Sequence, residues 1–338
     1  MPGPDRIDVH FHTVPPAFRT AVESASSLKV PVRVPAWTPE LSLALMDRQG
    51  IRTVVGSISV PGVQFGDDAA ARALARRCNE YSAELIARRP DRFGAFAALP
   101  LPDVEGAVEE AAYALDGLKL DGVGLFTSYG RDHLGHARFD PLLAALDARK
   151  AVAFVHPTTH PACRELDLGL PPFLVEYPFD TARAVLSLIF NGAVDRFPNI
   201  RFVLSHAGGA LPYLSWRVAA TAARLMTEPA LLERYPVPLL LEYRDAFTAD
   251  HFMTRLRTFW FDTANAAGPQ VLAALAHVAD PARVLFGSDW PYVPESLVDD
   301  TVAALAESVP NAKARAAIER GNALALFPRL AQAPRERS

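Results

Sequence analysis

The segment Ile7–Thr13, with the sequence IDVHFHT, decides the fold of this chain. It has the pattern of a buried strand that ends in two histidines one residue apart, His10 and His12. Alternate side chains of a strand point to the same face, so both imidazoles would face one way and could bind one metal ion. A strand end carrying two unrelated histidines is the alternative that this segment alone leaves open.

Three later segments repeat this design. Each is a short apolar run, typical of a strand buried on both faces, that ends in a ligand-type side chain near Pro or Gly. Such side chains at the carboxyl ends of parallel strands, with helices between the strands, are typical of a (β/α)8 barrel. The three segments and their residues are Val152–Val155 with His156, Ile200–Leu204 with His206, and Arg283–Phe286 with Asp289.

Alternating strand and helix patterns fill the rest of the chain. They predict an α/β fold, a (β/α)8 TIM barrel with a loop insertion after strand one, through Pro35, and extra C-terminal helices up to about Phe327. We expect a single domain over residues 1–330 and a flexible tail over 331–338. The other strands are predicted at Thr53–Ser59, Phe93–Ala98, Gly122–Leu125 and Thr258–Asp262. Helices are predicted at Pro39–Gln49, Asp68–Arg88, Val104–Leu115, Pro141–Arg149, Thr181–Asn191, Pro212–Met226, Asp245–Leu256 and Gly268–Val278.

Composition narrows the class of protein. Half of the 338 residues are hydrophobic and the formal net charge is −4, so neither nucleic acid nor an anionic membrane is an expected partner. No apolar run approaches the length of a membrane span, and the polar N-terminus does not look like a signal peptide. The two cysteines, Cys78 and Cys163, are too few for a disulfide framework. We therefore expect a cytoplasmic protein.

The order of the four strand-end sites resembles that of the amidohydrolase superfamily. Its aminocarboxymuconate semialdehyde decarboxylase-like branch is the most similar, on the motifs MDRQGI at 46–51, RRPDRFGAFAALPL at 88–101, HAGGALPYLSWR at 206–217 and GSDWPY at 287–292. Within that branch, AWTPELSLALMD and VEYPFDTARAVLSLIFNG look most like the 6-methylsalicylate decarboxylase type.

The donor set predicts one divalent metal ion. His10, His12 and His156 as neutral nitrogen donors, with Asp289 as an anionic oxygen donor, suit Zn²⁺ best and tolerate Mn²⁺. Dinuclear relatives carry a bridging Lys or Glu at the end of strand four, and the segment GVGLFTSYG has no lysine, which favours a single ion. No organic cofactor is expected.

The resemblance also implies catalytic roles. His206 corresponds to the family's catalytic histidine, with a fourth metal ligand or a satisfied loop histidine as alternatives. Asp289 is either a ligand only or a ligand that also protonates the carbon losing CO2.

Substrate contacts follow from the same resemblance. Arg217 matches an arginine that in relatives reaches the active site of the neighbouring subunit, which implies a homodimer; a solvated helix arginine is the alternative. A second family arginine falls here on Ser42, which favours a monocarboxylic acid with an apolar ring. Candidates for the wall of the ring pocket are Phe11, Phe179, Phe286, Trp290 and Tyr292, although such residues are more often barrel packing.

Two functions remain. The first is metal-dependent, non-oxidative decarboxylation of an aromatic acid (salicylate-like, such as 6-methylsalicylate) or a related unsaturated acid, releasing CO2. The second is hydrolysis of a lactone or amide by an activated water in the same kind of site. By resemblance, GSDWPY and the Arg217 segment favour the decarboxylase.

Overall fold

Eight parallel strands form the central sheet of a barrel surrounded by helices, as the sequence predicts. The computed structural model describes residues 5–25, 33–165, 168–234 and 248–332. The barrel strands lie side by side in the order in which they occur along the chain, β1-β2-β3-β4-β7-β8-β9-β10, and every neighbouring pair is parallel. All carboxyl ends of the strands therefore meet at one face, where residues distant in sequence can converge.

The barrel strands are short and almost wholly buried. They are β1 Arg6–His12, β2 Ile51–Ser57, β3 Phe93–Ala97, β4 Gly122–Phe126, β7 Val152–His156, β8 Arg201–Leu204, β9 Trp260–Asp262 and β10 Val284–Leu285. A hairpin that the sequence did not predict, β5 Ser128–Tyr129 with β6 Asp132–His133, follows β4.

Helices connect successive strands and extend past the last one. They are α1 Pro16–Ser24, α2 Pro39–Gln49, α3 Asp68–Arg88, α4 Val104–Ala112, α5 Asp140–Ala148, α6 Pro172–Phe190, α7 Ala193–Arg196, α8 Leu211–Thr227, α9 Pro229–Arg234, α10 Ala249–Leu256, α11 Pro269–Leu275, α12 Glu295–Ser308, α13 Ala312–Ala316, α14 Asn322–Leu326 and α15 Pro328–Gln332. None of the helices in the described ranges has the length and apolarity needed to cross a bilayer.

Backbone hydrogen bonds join the first strand to the end of the last. Val9 N–H donates to Phe286 O (3.0 Å), Asp289 N–H to His10 O (2.7 Å) and His12 N–H to Trp290 O (2.8 Å). This seam brings Asp289 next to the two histidines of β1, from the opposite end of the chain.

The C-terminal helices cover the amino ends of the strands. Leu326 and Phe327 belong to a buried cluster with side chains of six barrel strands, and the Phe327 ring lies 5.9 Å from that of Phe96. Arg6 at the start of β1 pairs with Glu319 at 2.9 Å. One end of the barrel is thus closed by packing, which leaves the other end for the site.

The main difference from the sequence prediction is helix α6, which begins at Pro172 rather than near Thr181. The helix contains Pro178, although proline normally interrupts a helix interior. In the structure, the Pro178 carbonyl accepts a hydrogen bond from Ala210 N–H at 3.0 Å, and this contact ties the first half of α6 to the segment after β8.

Three further predictions fall partly on residues outside the described ranges. The insertion after strand one contains helix α1, and residues 26–32 lie outside the described ranges. Residues 331 and 332 end α15, and the rest of the predicted tail lies outside the described ranges. Residues 245–247 of the predicted Asp245–Leu256 helix lie outside the described ranges as well.

Candidate metal centre and active site

The Asp289 carboxylate is the centre of the site. Its Oδ1 lies 3.0 Å from His12 Nε2 and 3.2 Å from His10 Nε2. Its Oδ2 lies 3.3 Å from His206 Nε2 and accepts a hydrogen bond of 2.7 Å from the Asn265 amide. One oxygen therefore faces the histidines of β1, while the other faces His206 and Asn265.

Each of the three predicted histidine ligands is held through its Nδ1. His10 Nδ1 lies 2.9 Å from Asp262 Oδ2, and His12 Nδ1 lies 3.0 Å from Ser57 Oγ. His156 Nδ1 donates to the Pro157 carbonyl at 2.8 Å. This pattern leaves the Nε2 atoms for a metal ion, and partners on the second ring nitrogen are what fix the orientation of metal-binding imidazoles.

The donor atoms lie close enough for one ion. Ligand atoms of His10, His156, His206 and Asp289 all lie within 4.8 Å of one another. His12 joins this group through its contact with Asp289 Oδ1. The structure thus brings together all five residues that the sequence analysis selected, and its geometry leaves both roles of His206, ligand or catalytic group, available.

Burial and charge suit a cation at this point. Burial alone would raise the pKa of Asp289, but His10, His12 and His206 hold it well below its usual range. Burial lowers the pKa of His12 and His156, so their rings are neutral donors, as metal ligands must be. Burial opposes a charge on His10 as well, yet Asp262 and Asp289 raise its pKa to about 10.

One buried nitrogen at the centre lacks a hydrogen-bond partner in the described part of the chain, and this supports a bound metal ion. His10 Nε2 is fully buried and has no hydrogen bond of acceptable geometry among the described residues. A buried nitrogen without a partner is costly, and coordination of an ion between His10, His12, His156 and Asp289 would satisfy it. The donor set of this centre therefore suits a divalent metal ion.

Asp262 at the end of β9 organises the centre from behind. Its Oδ2 contacts the His10 ring, while its Oδ1 accepts hydrogen bonds from His206 N–H (3.0 Å) and Ala264 N–H (2.9 Å). This carboxylate is completely buried. It therefore links the orientation of one candidate ligand to the position of the candidate catalytic histidine.

Left-handed backbone conformations cluster here. His206, Asn265 and Asp289 have φ values of 53°, 53° and 65°. Such values are uncommon for residues other than glycine and concentrate at functional sites, where the surrounding structure enforces them. The sharp turns directly after β8, β9 and β10 aim these three side chains at one point.

A cavity of about 620 Å³ opens from this centre. His156, His206, Asn265 and Asp289 line its inner end, next to two phenol side chains. Burial raises the pKa of Tyr177 to about 12, and it also raises that of Tyr292, so both phenols are hydrogen-bond donors at neutral pH. The Tyr292 hydroxyl has no hydrogen-bond partner among the described residues.

Of the predicted substrate contacts, Tyr292 lines this cavity, whereas the other five do not; these are Arg217, Phe11, Phe179, Phe286 and Trp290. Phe286 is fully buried in the core and Trp290 stacks near Phe11, with 5.1 Å between ring centroids. Both aromatic side chains pack the barrel because the strand ends point them away from the centre. Phe179 and Arg217 lie exposed on the outer surfaces of α6 and α8. Neither side chain is among the described residues of this chain that line the cavity.

Sequence reasoning did not select Tyr177, Asn265 or Ser57. Tyr177 lies before the predicted start of its helix, so it had no assigned place. Asn265 and Ser57 carried a weaker signal, since each is a polar side chain at or just after the end of a barrel strand, where functional residues collect.

Comparison with known proteins agrees with this geometry. A family model described as amidohydrolase matches residues 7–329. A 6-methylsalicylic acid decarboxylase from Penicillium expansum is 39% identical over 331 residues, covering 96% of this chain and 97% of the relative. A gamma-resorcylate decarboxylase from Rhizobium sp. is 31% identical over 262 residues, covering 74% of this chain and 76% of the relative.

A solved structure is similar over the whole fold. The crystal structure of 2,6-dihydroxybenzoate decarboxylase complexed with 2,6-dihydroxybenzoate superposes with a TM-score of 0.77 at 25% identity, covering 96% of this chain and 99% of that one.

Replacing Asp262 by Asn tests how the metal centre is built. We expect Asp262→Asn to weaken metal affinity by about 10- to 100-fold, because the His10 ring loses its anionic partner. Competition with a chromophoric chelator measures this. Asp121→Asn is the control, since that aspartate pairs with Arg329 at the far end of the barrel (2.8 Å) and should affect stability alone. Unchanged metal affinity in Asp262→Asn would show that Asp262 does not support the centre.

Proposed function

The chain belongs to the amidohydrolase family, and from that premise we propose that it is a metal-dependent, non-oxidative decarboxylase of a salicylate-type aromatic acid. The observation that carries the proposal is the pair formed by Asp289 Oδ2 and His206 Nε2, 3.3 Å apart at the inner end of a largely apolar cavity. The activities named for the relatives at 39% and 31% identity support the same reaction class.

We assign the metal to His10, His12, His156 and Asp289, with Zn²⁺ as the native ion and Mn²⁺ as a tolerated one. The ion, when bound, supplies positive charge that binds substrate oxygens and stabilises negative charge developing on them. The chain fixes the three imidazole rings through Asp262, Ser57 and Pro157 O, and burial favours the neutral form of His12 and His156.

The chain's own residues move the proton. Decarboxylation breaks the bond between the ring carbon and the carboxylate carbon, and the electron pair stays on the ring, so that carbon must gain a proton. The pair of His206 and Asp289 holds a proton at the cavity floor and delivers it to the ring carbon. Departure of CO2 then restores aromaticity. The Asn265 amide keeps Asp289 Oδ2 turned toward this position.

Besides the metal ion, a basic side chain could bind the substrate carboxylate, and this chain places no arginine or lysine in its own cavity among the described residues. Arg217 lies beside Tyr213 and Trp216 on α8, whose side chains are 85% and 79% exposed. Large exposed aromatic groups mark protein interfaces, and guanidinium groups bind carboxylates well. We therefore propose a homodimer in which Arg217 reaches the partner's cavity.

The decarboxylase proposal predicts CO2 release without oxygen or an organic cofactor. Salicylate and 6-methylsalicylate are incubated anaerobically with the metal-loaded protein, and CO2 and the phenol product are quantified. A chelator should abolish turnover, and Zn²⁺ or Mn²⁺ should restore it. If these acids remain unchanged while lactones or amides are cleaved, the protein is a hydrolase instead.

His206→Asn tests the proton-transfer assignment. We expect kcat to fall by about 10²- to 10⁴-fold, because the pair that delivers the proton is broken. Metal content, measured by elemental analysis, should stay at one ion per chain. Full turnover in the variant would contradict the role of His206, and loss of the ion would make His206 a ligand.

Arg217→Ala tests the dimer and the contribution of the Arg217 guanidinium to substrate binding. We expect kcat/KM to fall by about 10- to 100-fold, the value of a charge-assisted hydrogen bond. Mixing Arg217→Ala with His206→Asn chains should restore up to about a quarter of the wild-type activity, because half of the dimers then hold one complete site.

Arg224→Ala, an exposed arginine further along α8, is the matched control and should retain activity. Sedimentation or light scattering establishes the oligomeric state. A monomer, or mixed chains that gain no activity, would exclude an Arg217 contribution from the partner.

A further inference from the structure

The cavity is polar at one end only. The metal centre, Asn265 and the two phenols occupy the inner end. Beyond them, the described lining residues are mainly apolar, from the loop after β2, the first turns of α6, and the segment from Ala267 to α12. This apolar part is lined by Val60, Phe173, Leu174, Pro178, Ala267, Val293, Leu297 and Ala304.

One face of α12 forms a long wall of this apolar part. Leu297, Thr301 and Ala304 are spaced by four and three residues, so they lie on the same side of the helix. At a rise of 1.5 Å per residue, the seven steps from Leu297 to Ala304 span about 10 Å. Val298 and Leu305 of the same helix are fully buried, which fixes the wall against the barrel.

The cavity is larger than a simple ring acid needs, and its outer part does not suit a second acidic group. The cavity volume of about 620 Å³ lies within the range of pockets that enclose drug-sized ligands, whereas a salicylate ring with a methyl group is much smaller. Asp300 is the one charged side chain among the described lining residues beyond the inner end, and it repels a second carboxylate. The outer part of the cavity thus suits an uncharged, apolar group.

The mouth of the cavity has the same character. Phe173 and Leu174 are 61% and 55% exposed, and Leu297 is 36% exposed. All three line the cavity, so an apolar group that extends outward from the ring would cover them. Burying these side chains together with the ligand is favourable, because both lose apolar surface to water.

We propose that the natural substrate is a salicylate-type acid whose ring carries an apolar chain longer than methyl, lying along the Leu297–Ala304 face of α12. This substrate assignment rests on the decarboxylase function proposed above. The acid head binds at the metal centre, and the chain fills the outer part of the cavity. The product is the corresponding alkylphenol, formed when CO2 leaves and a proton takes its place on the ring.

The test compares acids of increasing chain length. Two series of salicylates, alkylated either next to the carboxylate-bearing carbon or opposite it, are assayed with the metal-loaded full chain. In one of the two series, we expect kcat/KM to rise by about fourfold for each added methylene that is buried. Affinity for the alkylphenol products, measured by competitive inhibition or calorimetry, should rise with chain length in the same way.

Ala304→Phe locates the chain within the cavity. A phenyl group at this position occupies the space along α12. We compare kcat/KM for the long-chain acid with kcat/KM for 6-methylsalicylate, and expect the ratio of the first to the second to fall to one or below. Ala303→Phe places the same group on the exposed side of the helix and is the matched control, for which the ratio should stay at the wild-type value.

The outcomes separate the two proposals. If methyl-substituted acids are decarboxylated but neither series gains with chain length, or Ala304→Phe leaves the ratio unchanged, the substrate assignment is wrong and the decarboxylase function stands. If no acid of any chain length releases CO2, the decarboxylase function itself fails. In that case, product affinity that does not depend on chain length would also exclude an apolar site along α12.

Discussion

The site depends on the seam where the last strand of the barrel meets the first. Asp289 donates its backbone N–H to the His10 carbonyl at 2.7 Å, and its carboxylate contacts the rings of His10 and His12. One residue thus helps to close the barrel and completes the donor set. Because this contact joins residues from opposite ends of the chain, the barrel must close before the centre can exist.

Two other parts of the site are held next to this seam: the end of β9 with Asp262, and helix α6. Asp262 connects the His10 ring to the His206 backbone, so the ends of β1, β8 and β9 are joined at the centre. On the other side, helix α6 forms a wall of the cavity. It is anchored by buried Asp180, which contacts Ser128 and His133 after β4, and by the hydrogen bond from Ala210 N–H to Pro178 O.

The division of the cavity into a polar floor and apolar walls has a simple physical origin. Polar side chains sit directly at strand ends, where sharp turns aim them inward. The walls come from helices and connecting segments, whose inward faces are apolar because they pack on the barrel. A ligand with one acidic end and an apolar remainder matches this division, since each part meets an environment that stabilises it.

The candidate centre was predictable in unusual detail, because its side chains follow strand patterns that are strong in the sequence itself. His10 and His12 share a strand face by simple alternation, and His156, His206 and Asp289 each end a short apolar run. The substrate contacts were not predictable in this way. An aromatic residue such as Phe286 faces either the cavity or the core, depending on a shift of one residue in where the strand ends. The local sequence pattern does not fix that position.

The sequence by itself therefore determined the (β/α)8 fold, its order of strands and the residues of the candidate centre, because these follow from periodicity and from residue types at strand ends. The tertiary structure was needed to show which nitrogen of each ring faces the centre and that Asn265 and Tyr177 belong to the site. It also decided that the cavity continues along α12. These features depend on contacts between residues far apart in the chain, formed when the first and last strands meet.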